Sequence, residues 1–168
     1  MSLVVSDSGP IHYLVLCEAI RLIPELYGEL VIPGAVAQEL AHPQTPEVVR
    51  AWLQALPNWA RIRNPRQIEP VMQLGLGERE AISLAHELKA SQLLIDDRVA
   101  RRVAIERGLL ITGTVGILEL AAERGLLNLP DTLQKLLQTN FRIDAEVIRL
   151  ALERDAVRSR RGPQRPGP

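Results

Sequence analysis

The sequence predicts a three-layer α/β/α sandwich built on a mainly parallel sheet of about five strands. Two observations indicate this class: short apolar runs alternate with helical patterns, and Gly or Pro residues separate many of the elements. Strands that are apolar throughout and are joined through helices are typical of parallel sheets covered on both faces. With 168 residues, the chain suits a single hydrophobic core.

The first half of the chain predicts three strands and three helical segments. The predicted strands are 3–5, 30–32 and 60–63, and the predicted helices are 11–27, 35–41 and 45–56. We expect Pro24 to break the first helix, because a proline inside a helix removes a hydrogen bond and clashes with the preceding turn. The third helix has a capping Thr45 followed by a proline and an acid.

The second half continues the alternation after a loop-like stretch. The predicted strands are 93–95 and 109–112, and the predicted helices are 77–89, 98–108, 115–124, 130–138 and 144–157. The resulting organisation is a main domain over 1–128, a helical appendage over 129–157 and a tail over 158–168. The tail contains three prolines, two glycines and no acid, so we expect it to be basic and disordered.

The composition excludes several kinds of protein. Aromatic residues make up only 3%, which excludes a base-stacking platform. Four of the twenty basic residues lie in the tail, so residues 1–157 carry sixteen basic against twenty acidic residues and a net charge of −4. A mildly acidic body is unlike a protein that coats DNA through many phosphate contacts.

The single cysteine and the hydropathy pattern indicate the compartment. Cys17 has no partner for an internal disulfide, and the chain shows no leader-like segment. Its apolar runs are far shorter than the roughly twenty residues that a membrane-spanning helix needs. We therefore expect a cytoplasmic protein with no membrane partner.

Acidic residues follow two of the clearest predicted strands. Asp7 follows the strand at 3–5, and Asp96 and Asp97 follow the strand at 93–95. Open parallel sheets bind ligands outside the carboxyl ends of their strands, where the strand order reverses. If these two strands are neighbours, the acids converge on one cleft. The alternative is that each Asp only caps the helix after it, but acids at two strand ends favour a functional site.

Three further acids lie on predicted helices. Glu39 interrupts a run of small aliphatic residues, and Glu78 and Glu80 lie in the first turn of the helix at 77. Solvent exposure and the helix dipole are the non-functional explanations. Carboxylates that share a cleft repel one another unless a divalent cation neutralises them. Mg²⁺ or Mn²⁺ prefers such oxygen ligands, and such sites catalyse phosphodiester hydrolysis.

Four short segments carry a resemblance to a known family. They are VSDSGP at 5–10, VAQEL at 36–40, GEREAI at 77–82 and LIDDR at 94–98. Their order and spacing resemble the PIN-domain family, metal-dependent nucleases that include the VapC-type toxins of toxin/antitoxin pairs. The resemblance runs from Leu3 to about Gly125. It is greatest for a divergent PIN-like subgroup with a DSGP start and a GExEAI helix.

The resemblance implies both a fold and a set of site residues. The family's strand order, 3-2-1-4-5, makes the first and fourth strands neighbours. The catalytic acids that carry over are Asp7, Glu39, Glu80 and Asp97. Glu78 remains the alternative to Glu80, because residues two apart on a helix point to different faces. The implied ligands of Mg²⁺ or Mn²⁺ are Asp7, Asp97, Asp96 and Glu78.

The implied activity is endonucleolytic cleavage of single-stranded RNA. Arg98 and Arg101 are expected to contact phosphates near the cleft. A small hydroxyl is expected to hold a metal-bound water, and the candidates are Ser8, Thr112 and Thr114. The implied partners are the RNA substrate, a small antitoxin protein and a second copy of the chain in a homodimer.

Two other functions remain open at the level of sequence. The first is a catalytically inactive PIN-like module that binds protein or RNA, which the ambiguity between Glu78 and Glu80 favours. The second is a haloacid-dehalogenase-like phosphatase, which also has an Asp after its first strand. That chemistry requires another Asp two residues later, where this chain has Gly9.

Overall fold

The computed structural model describes residues 2–162 and contains a five-stranded parallel sheet. The strands are β1 (Ser2–Ser6), β2 (Gly28–Ile32), β3 (Ala60–Ile62), β4 (Gln92–Leu94) and β5 (Ile111–Thr112). Their order in the sheet is β3-β2-β1-β4-β5, and every neighbouring pair is parallel. The predicted α/β sandwich and the strand order implied by the family resemblance are both confirmed.

Nine α-helices connect and extend the sheet in the described part of the chain. They are α1 (Ser8–Leu16), α2 (Ile23–Tyr27), α3 (Gly34–Leu40), α4 (Glu47–Gln54), α5 (Leu76–Glu87), α6 (Arg98–Glu106), α7 (Thr114–Glu123), α8 (Leu129–Leu137) and α9 (Ala145–Arg161). Within residues 2–162, no helix is both long enough and apolar enough to cross a membrane.

The central strands β1, β2 and β4 are buried on both faces over most of their length, as their continuous apolar sequences predict, whereas the edge strands β3 and β5 are more exposed. In β1, Val4 belongs to one hydrophobic cluster and Val5 to the other, because successive side chains of a strand point to opposite faces. The first cluster joins the sheet to α1, α2, α3, α4, α7, α8 and α9. The second joins it to α5 and α6. The sheet is therefore the middle of three layers.

The first predicted helix breaks earlier than Pro24. Helix α1 ends at Leu16, Glu18 has a φ of 63°, and a short 3₁₀ turn precedes α2. Pro24 lies in the first turn of α2, where a missing N–H has no intrahelical partner to lose. The prediction that Pro24 causes the break is therefore wrong, because Pro24 helps to start a new helix.

The C-terminal helices share the first hydrophobic cluster. Their residues in that cluster are Leu129, Leu133, Leu136, Ile148 and Ala151, joined by Phe141 from the loop between α8 and α9, and the two helices pack with α1 and α7. Helix α9 continues to Arg161, four residues past its predicted end at Val157. Residues 163–168 of the predicted tail lie outside the described residues.

Candidate active site

The first and fourth strands end at the same edge of the sheet. They are adjacent, and Val5 pairs with Leu93. The backbone N–H of Asp7 donates a hydrogen bond to the Leu94 carbonyl over 2.9 Å, which extends the pairing to the end of both strands. Asp7 is one residue past the paired end of β1, and Asp96 is two residues past the paired end of β4. The two acids therefore lie at the same edge of the sheet, as the sequence predicted.

The Asp7 carboxylate is the most unusual group at this edge. Its side chain is 6% exposed, and its Oδ1 atom has no hydrogen-bond partner among residues 2–162. Asp7 occupies the capping position before α1, but its side chain does not cap the helix. Burial raises the pKa of Asp7 to about 7; a hydrogen bond from the Ser8 backbone N–H opposes this rise, and the negative charges of Glu39, Glu78 and Asp96 contribute to it. A cation beside the buried Oδ1 atom would neutralise this costly negative charge.

Asp96 is held in place by the first residue of α7. Its Oδ1 accepts the Thr114 backbone N–H over 2.8 Å, and its Oδ2 accepts the Thr114 hydroxyl over 2.6 Å. Burial raises the pKa of Asp96, and the Thr114 hydrogen bonds and the charge of Arg101 oppose this effect. A side chain at Gly9 would begin 3.4 Å from Asp96 Oδ2, so the start of α1 lies against this carboxylate.

Asp97 has a different role from its neighbour. It is exposed, and its Oδ1 accepts the backbone N–H of Ala100 over 2.8 Å, which caps α6. Its charge acts on Glu78, whereas the Asp7 carboxyl is affected by Asp96. The structure therefore directs Asp96 toward Asp7 and uses Asp97 as a helix cap.

Glu39 and Glu78 lie on adjoining helices beside Asp7. A side chain at Gly77 would begin 2.4 Å from Glu39 Oε1, so glycine is needed for the first turn of α5 to approach this carboxylate. Glu78 is partly buried, and its Oε2 accepts the Gly75 N–H over 2.9 Å. Burial raises the pKa of Glu78, and Asp97 and Glu39 add to this effect. Four carboxylates, those of Asp7, Glu39, Glu78 and Asp96, thus share one electrostatic environment.

The Glu80 carboxylate is hydrogen-bonded to helix α3. Its side chain is 8% exposed, and its Oε2 accepts the backbone N–H of Ala35 over 2.8 Å. That hydrogen bond joins α5 to the first turn of α3. Of the two glutamates that the sequence left as alternatives, Glu78 is the one whose charge acts on Asp7.

The predicted substrate-binding residues are two arginines and three residues with a hydroxyl group. Arg98 and Arg101 line a cavity of about 400 Å³ beside Asp96, and Arg101 also donates to the Ile95 carbonyl over 2.9 Å. Thr114 bonds to Asp96, whereas the Thr112 hydroxyl donates to Gln92 on β4. Ser8 is partly buried in the first turn of α1.

Aliphatic residues near the C-terminus also line this cavity, and the sequence did not predict them. Ile143 and Val147 come from the start of α9 and the loop before it. No motif marks them, because their position depends on how α9 packs against α7. The glycines that permit close approach, Gly77 and Gly113, were visible in the sequence but have no partner until the helices are placed.

The carboxylate oxygens of this site suit a hard divalent cation. The unpartnered Asp7 Oδ1 and the mutually repelling carboxylates around it provide the oxygen ligands that Mg²⁺ and Mn²⁺ prefer. Among residues 2–162, no group of three or more His, Cys, Asp or Glu side chains is arranged closely enough to hold an ion. The chemistry of the carboxylates, rather than a preformed coordination geometry, is what fits a metal.

A parallel sheet with acids at the carboxyl ends of its central strands defines an α/β protein with an acidic cleft. A family model described as a PIN domain (DUF3368) matches residues 3–156, so the chain belongs to the PIN-domain family. PIN domains are generally nucleases and typically use divalent metals, so this membership suggests a nuclease-type activity. It gives no support to the alternative of a dehalogenase-like phosphatase.

The remaining comparisons add a structural likeness. A PilT N-terminus domain protein from Sulfolobus solfataricus P2 is similar in structure, with 17% sequence identity and a TM-score of 0.47. The likeness covers 84% of this chain and 99% of that one. No curated protein matches the sequence.

Proposed function

We propose that this PIN domain is a metal-dependent endoribonuclease that cleaves single-stranded RNA. The observation that carries the proposal is the buried Asp7 carboxylate, whose Oδ1 has no hydrogen-bond partner in the described part of the chain and whose charge interacts with three other carboxylates. Such an arrangement is costly for folding unless a cation neutralises it. Costly electrostatics of this kind cluster at functional sites.

The ligands we assign to Mg²⁺ or Mn²⁺ are Asp7 and Asp96, with Glu78 and Glu39 as further oxygen donors. When bound, the ion would activate water and neutralise negative charge on the phosphate. Asp97, which the resemblance implied as a ligand, is assigned here to capping α6 and to acting on Glu78 through its charge. Glu80 is assigned to holding α3 against α5.

The chain's own residues orient the reaction. Thr114 fixes both oxygens of Asp96 with one hydrogen bond each, which leaves further lone pairs free to accept. Asp7 Oδ1 is available to accept a proton from a water molecule or to bind a cation. Arg98 and Arg101 lie beside Asp96, where they would hold the phosphates of the strand.

The decisive experiment compares four carboxamide variants. Asp7→Asn, Asp96→Asn and Glu78→Gln should each reduce Mn²⁺-dependent cleavage of single-stranded RNA by at least about 100-fold, given the usual contribution of such groups. Asp97→Asn is the matched control, because asparagine also caps helices, and it should retain most of the activity. Circular dichroism should show the wild-type fold in all four. Full activity of Asp7→Asn would refute the proposal.

A second candidate function is a binding module without catalysis. The observation in its favour is that Glu80 and Asp97, two of the four acids implied by the family resemblance, are engaged in hydrogen bonds to helix N-termini. This candidate predicts that calorimetry detects no binding of millimolar Mn²⁺ and that RNA is bound but not cut. The nuclease proposal predicts that Mn²⁺ binds and that Asp7→Asn abolishes this binding.

We also propose that the protein is the toxin of a toxin/antitoxin pair and forms a homodimer. Support comes from the family and from the acidic cleft, which a partner could cover with Arg or Lys side chains. Expression of the wild-type protein should arrest bacterial growth, and expression of Asp7→Asn should not. Light scattering after size-exclusion chromatography should give twice the mass of the 18.7 kDa chain.

A further inference from the structure

The cavity beside Asp96 has features that the proposed cleavage chemistry does not require. It has a volume of about 400 Å³, within the range of roughly 300–1,000 Å³ that is usual for small-molecule sites. Its lining includes the charged side chains of Asp96, Arg98 and Arg101. It also includes four aliphatic side chains, those of Ile111, Val115, Ile143 and Val147.

The charges of the cavity favour an anionic occupant. Glu119 also lines it, but Arg154 of α9 forms a two-point salt bridge with Glu119, with distances of 2.8 and 2.9 Å. Neither Arg98 nor Arg101 forms a salt bridge with an acid within residues 2–162, although the charge of Arg101 partly offsets that of Asp96. The cavity therefore offers two cationic donors next to an aliphatic recess.

Gly113 and Gly116 also line the cavity. A side chain at Gly113 would begin 2.8 Å from Arg101 Nη1 and 2.9 Å from Asp96 Oδ1, so it would push these groups apart. A side chain at Gly116 would begin 3.1 Å from Thr112 Cγ2 and would narrow the aliphatic recess. A flat apolar group can therefore lie against the start of α7 while an attached anion reaches the arginines.

We propose that this cavity binds one nucleotide unit of the RNA strand, with its phosphate on Arg98 and Arg101 and its base among the aliphatic side chains. The proposal rests on the proposed function, because it places this nucleotide next to the phosphate that is cleaved. Base recognition here does not use aromatic stacking. The base is held between the first turns of α7 and the start of α9.

The test measures binding without cleavage. Isotope-labelled protein in EDTA is titrated with adenosine 5′-monophosphate, uridine 5′-monophosphate or inorganic phosphate, and amide NMR signals are followed. At least one of the two nucleotides should shift the signals of Gly116 and Val147, whereas phosphate alone should shift only signals near Arg98 and Arg101. If neither nucleotide shifts Gly116 or Val147 at millimolar concentration, the proposal is overturned.

Two matched pairs of variants separate the phosphate end from the base end. Val147 is 38% exposed, so Val147→Trp should fold and fill the recess, and it should weaken nucleotide binding at least about tenfold. Val157→Trp on the same helix is its control and should bind like the wild type. Arg98→Ala should weaken binding of both phosphate and nucleotide about tenfold, whereas Arg102→Ala should not. Unchanged nucleotide affinity in Val147→Trp would overturn the proposal.

Failure of this inference is distinguishable from failure of the nuclease proposal. If the protein cuts RNA and Val147→Trp leaves KM unchanged, the nuclease proposal stands and the nucleotide site is overturned. If the protein cuts no RNA but nucleotides bind in the cavity as described, the site is supported as a binding site alone.

Discussion

Replacing Asp7 with Asn should stabilise the metal-free protein at alkaline pH, although the same change abolishes cleavage. Burial raises the pKa of Asp7 from 3.8 to about 7 in the folded protein. The unfolded chain therefore loses this proton at a lower pH than the folded chain. The stability that the protonated carboxyl provides is complete below about pH 4 and is lost as the pH rises to about 7.

The size of the effect follows from this difference in pKa. About three pKa units correspond to about 4 kcal/mol of unfolding free energy above pH 7. Asparagine avoids this cost at every pH, but its amide group lies at a position without a hydrogen-bond partner, which costs about 1–3 kcal/mol. Asp7→Asn should therefore be about 1–3 kcal/mol more stable than the wild type at pH 8.5. At pH 4 it should be less stable by a similar amount.

Urea unfolding in EDTA, followed by circular dichroism from pH 4 to pH 9, measures this crossover. Asp97→Asn is the control: it alters an exposed helix cap and one of the charges that raise the pKa of Glu78, but it should leave the stability change due to Asp7 in place. Adding Mg²⁺ at pH 8.5 should stabilise the wild type and not Asp7→Asn. If the free energies of unfolding of the wild type and Asp7→Asn change in parallel across this pH range, the Asp7 carboxyl is not desolvated in the folded state.

Five further substitutions, in three tests, probe the other assignments and the C-terminal packing. Glu80→Ala should lower the free energy of unfolding in urea by about 1–3 kcal/mol, because the buried Ala35 N–H of α3 loses its acceptor. Glu78→Gln should instead lower cleavage and change the free energy of unfolding by less than about 1 kcal/mol. Thr114→Val should destabilise the protein by about 1–2 kcal/mol and reduce cleavage, because the carboxylate that it holds loses one donor; unchanged cleavage would count against its positioning role. Leu136→Ala should cost about 2–5 kcal/mol in a single cooperative transition, while Leu137→Ala, at an exposed position, should change stability by less than about 0.5 kcal/mol.

The sequence was sufficient for the sheet and for the location of the cleft. Continuous apolar strands joined by helices predicted a parallel sheet, and the resemblance supplied its order. Asp7 could be singled out because a strand end beside a reversal of strand order is where such sheets bind ligands. The strands and the acids at their ends follow from local composition, which a single sequence shows. The strand order follows from the family resemblance.

The choice between neighbouring acids could not be made from the sequence. Asp96 and Asp97 are adjacent, and which of them caps α6 depends on backbone torsion angles at the end of β4. Glu78 and Glu80 are two residues apart, and the rotation of α5 against α3 decides which one meets Asp7 and which one meets Ala35. Both choices are set by tertiary packing.

The C-terminal helices pose the same difficulty on a larger scale. Their amphipathic pattern predicts helices, but it does not say which surface they cover. Their burial in the first cluster places Ile143 and Val147 beside a carboxylate almost fifty residues earlier in the chain. Nothing in the spacing of these residues indicates that neighbour.

The burial of the last helices against the first one has a consequence for biosynthesis. Leu14 of α1 and Ala151 of α9 belong to the same cluster, so this half of the core closes only after α9 has been synthesised. Asp96 lines the cavity and is synthesised before α7 and α9, which supply Val115 and Val147 to the same cavity. A nascent chain therefore carries the acids of the site before it has the aliphatic residues that complete the cavity.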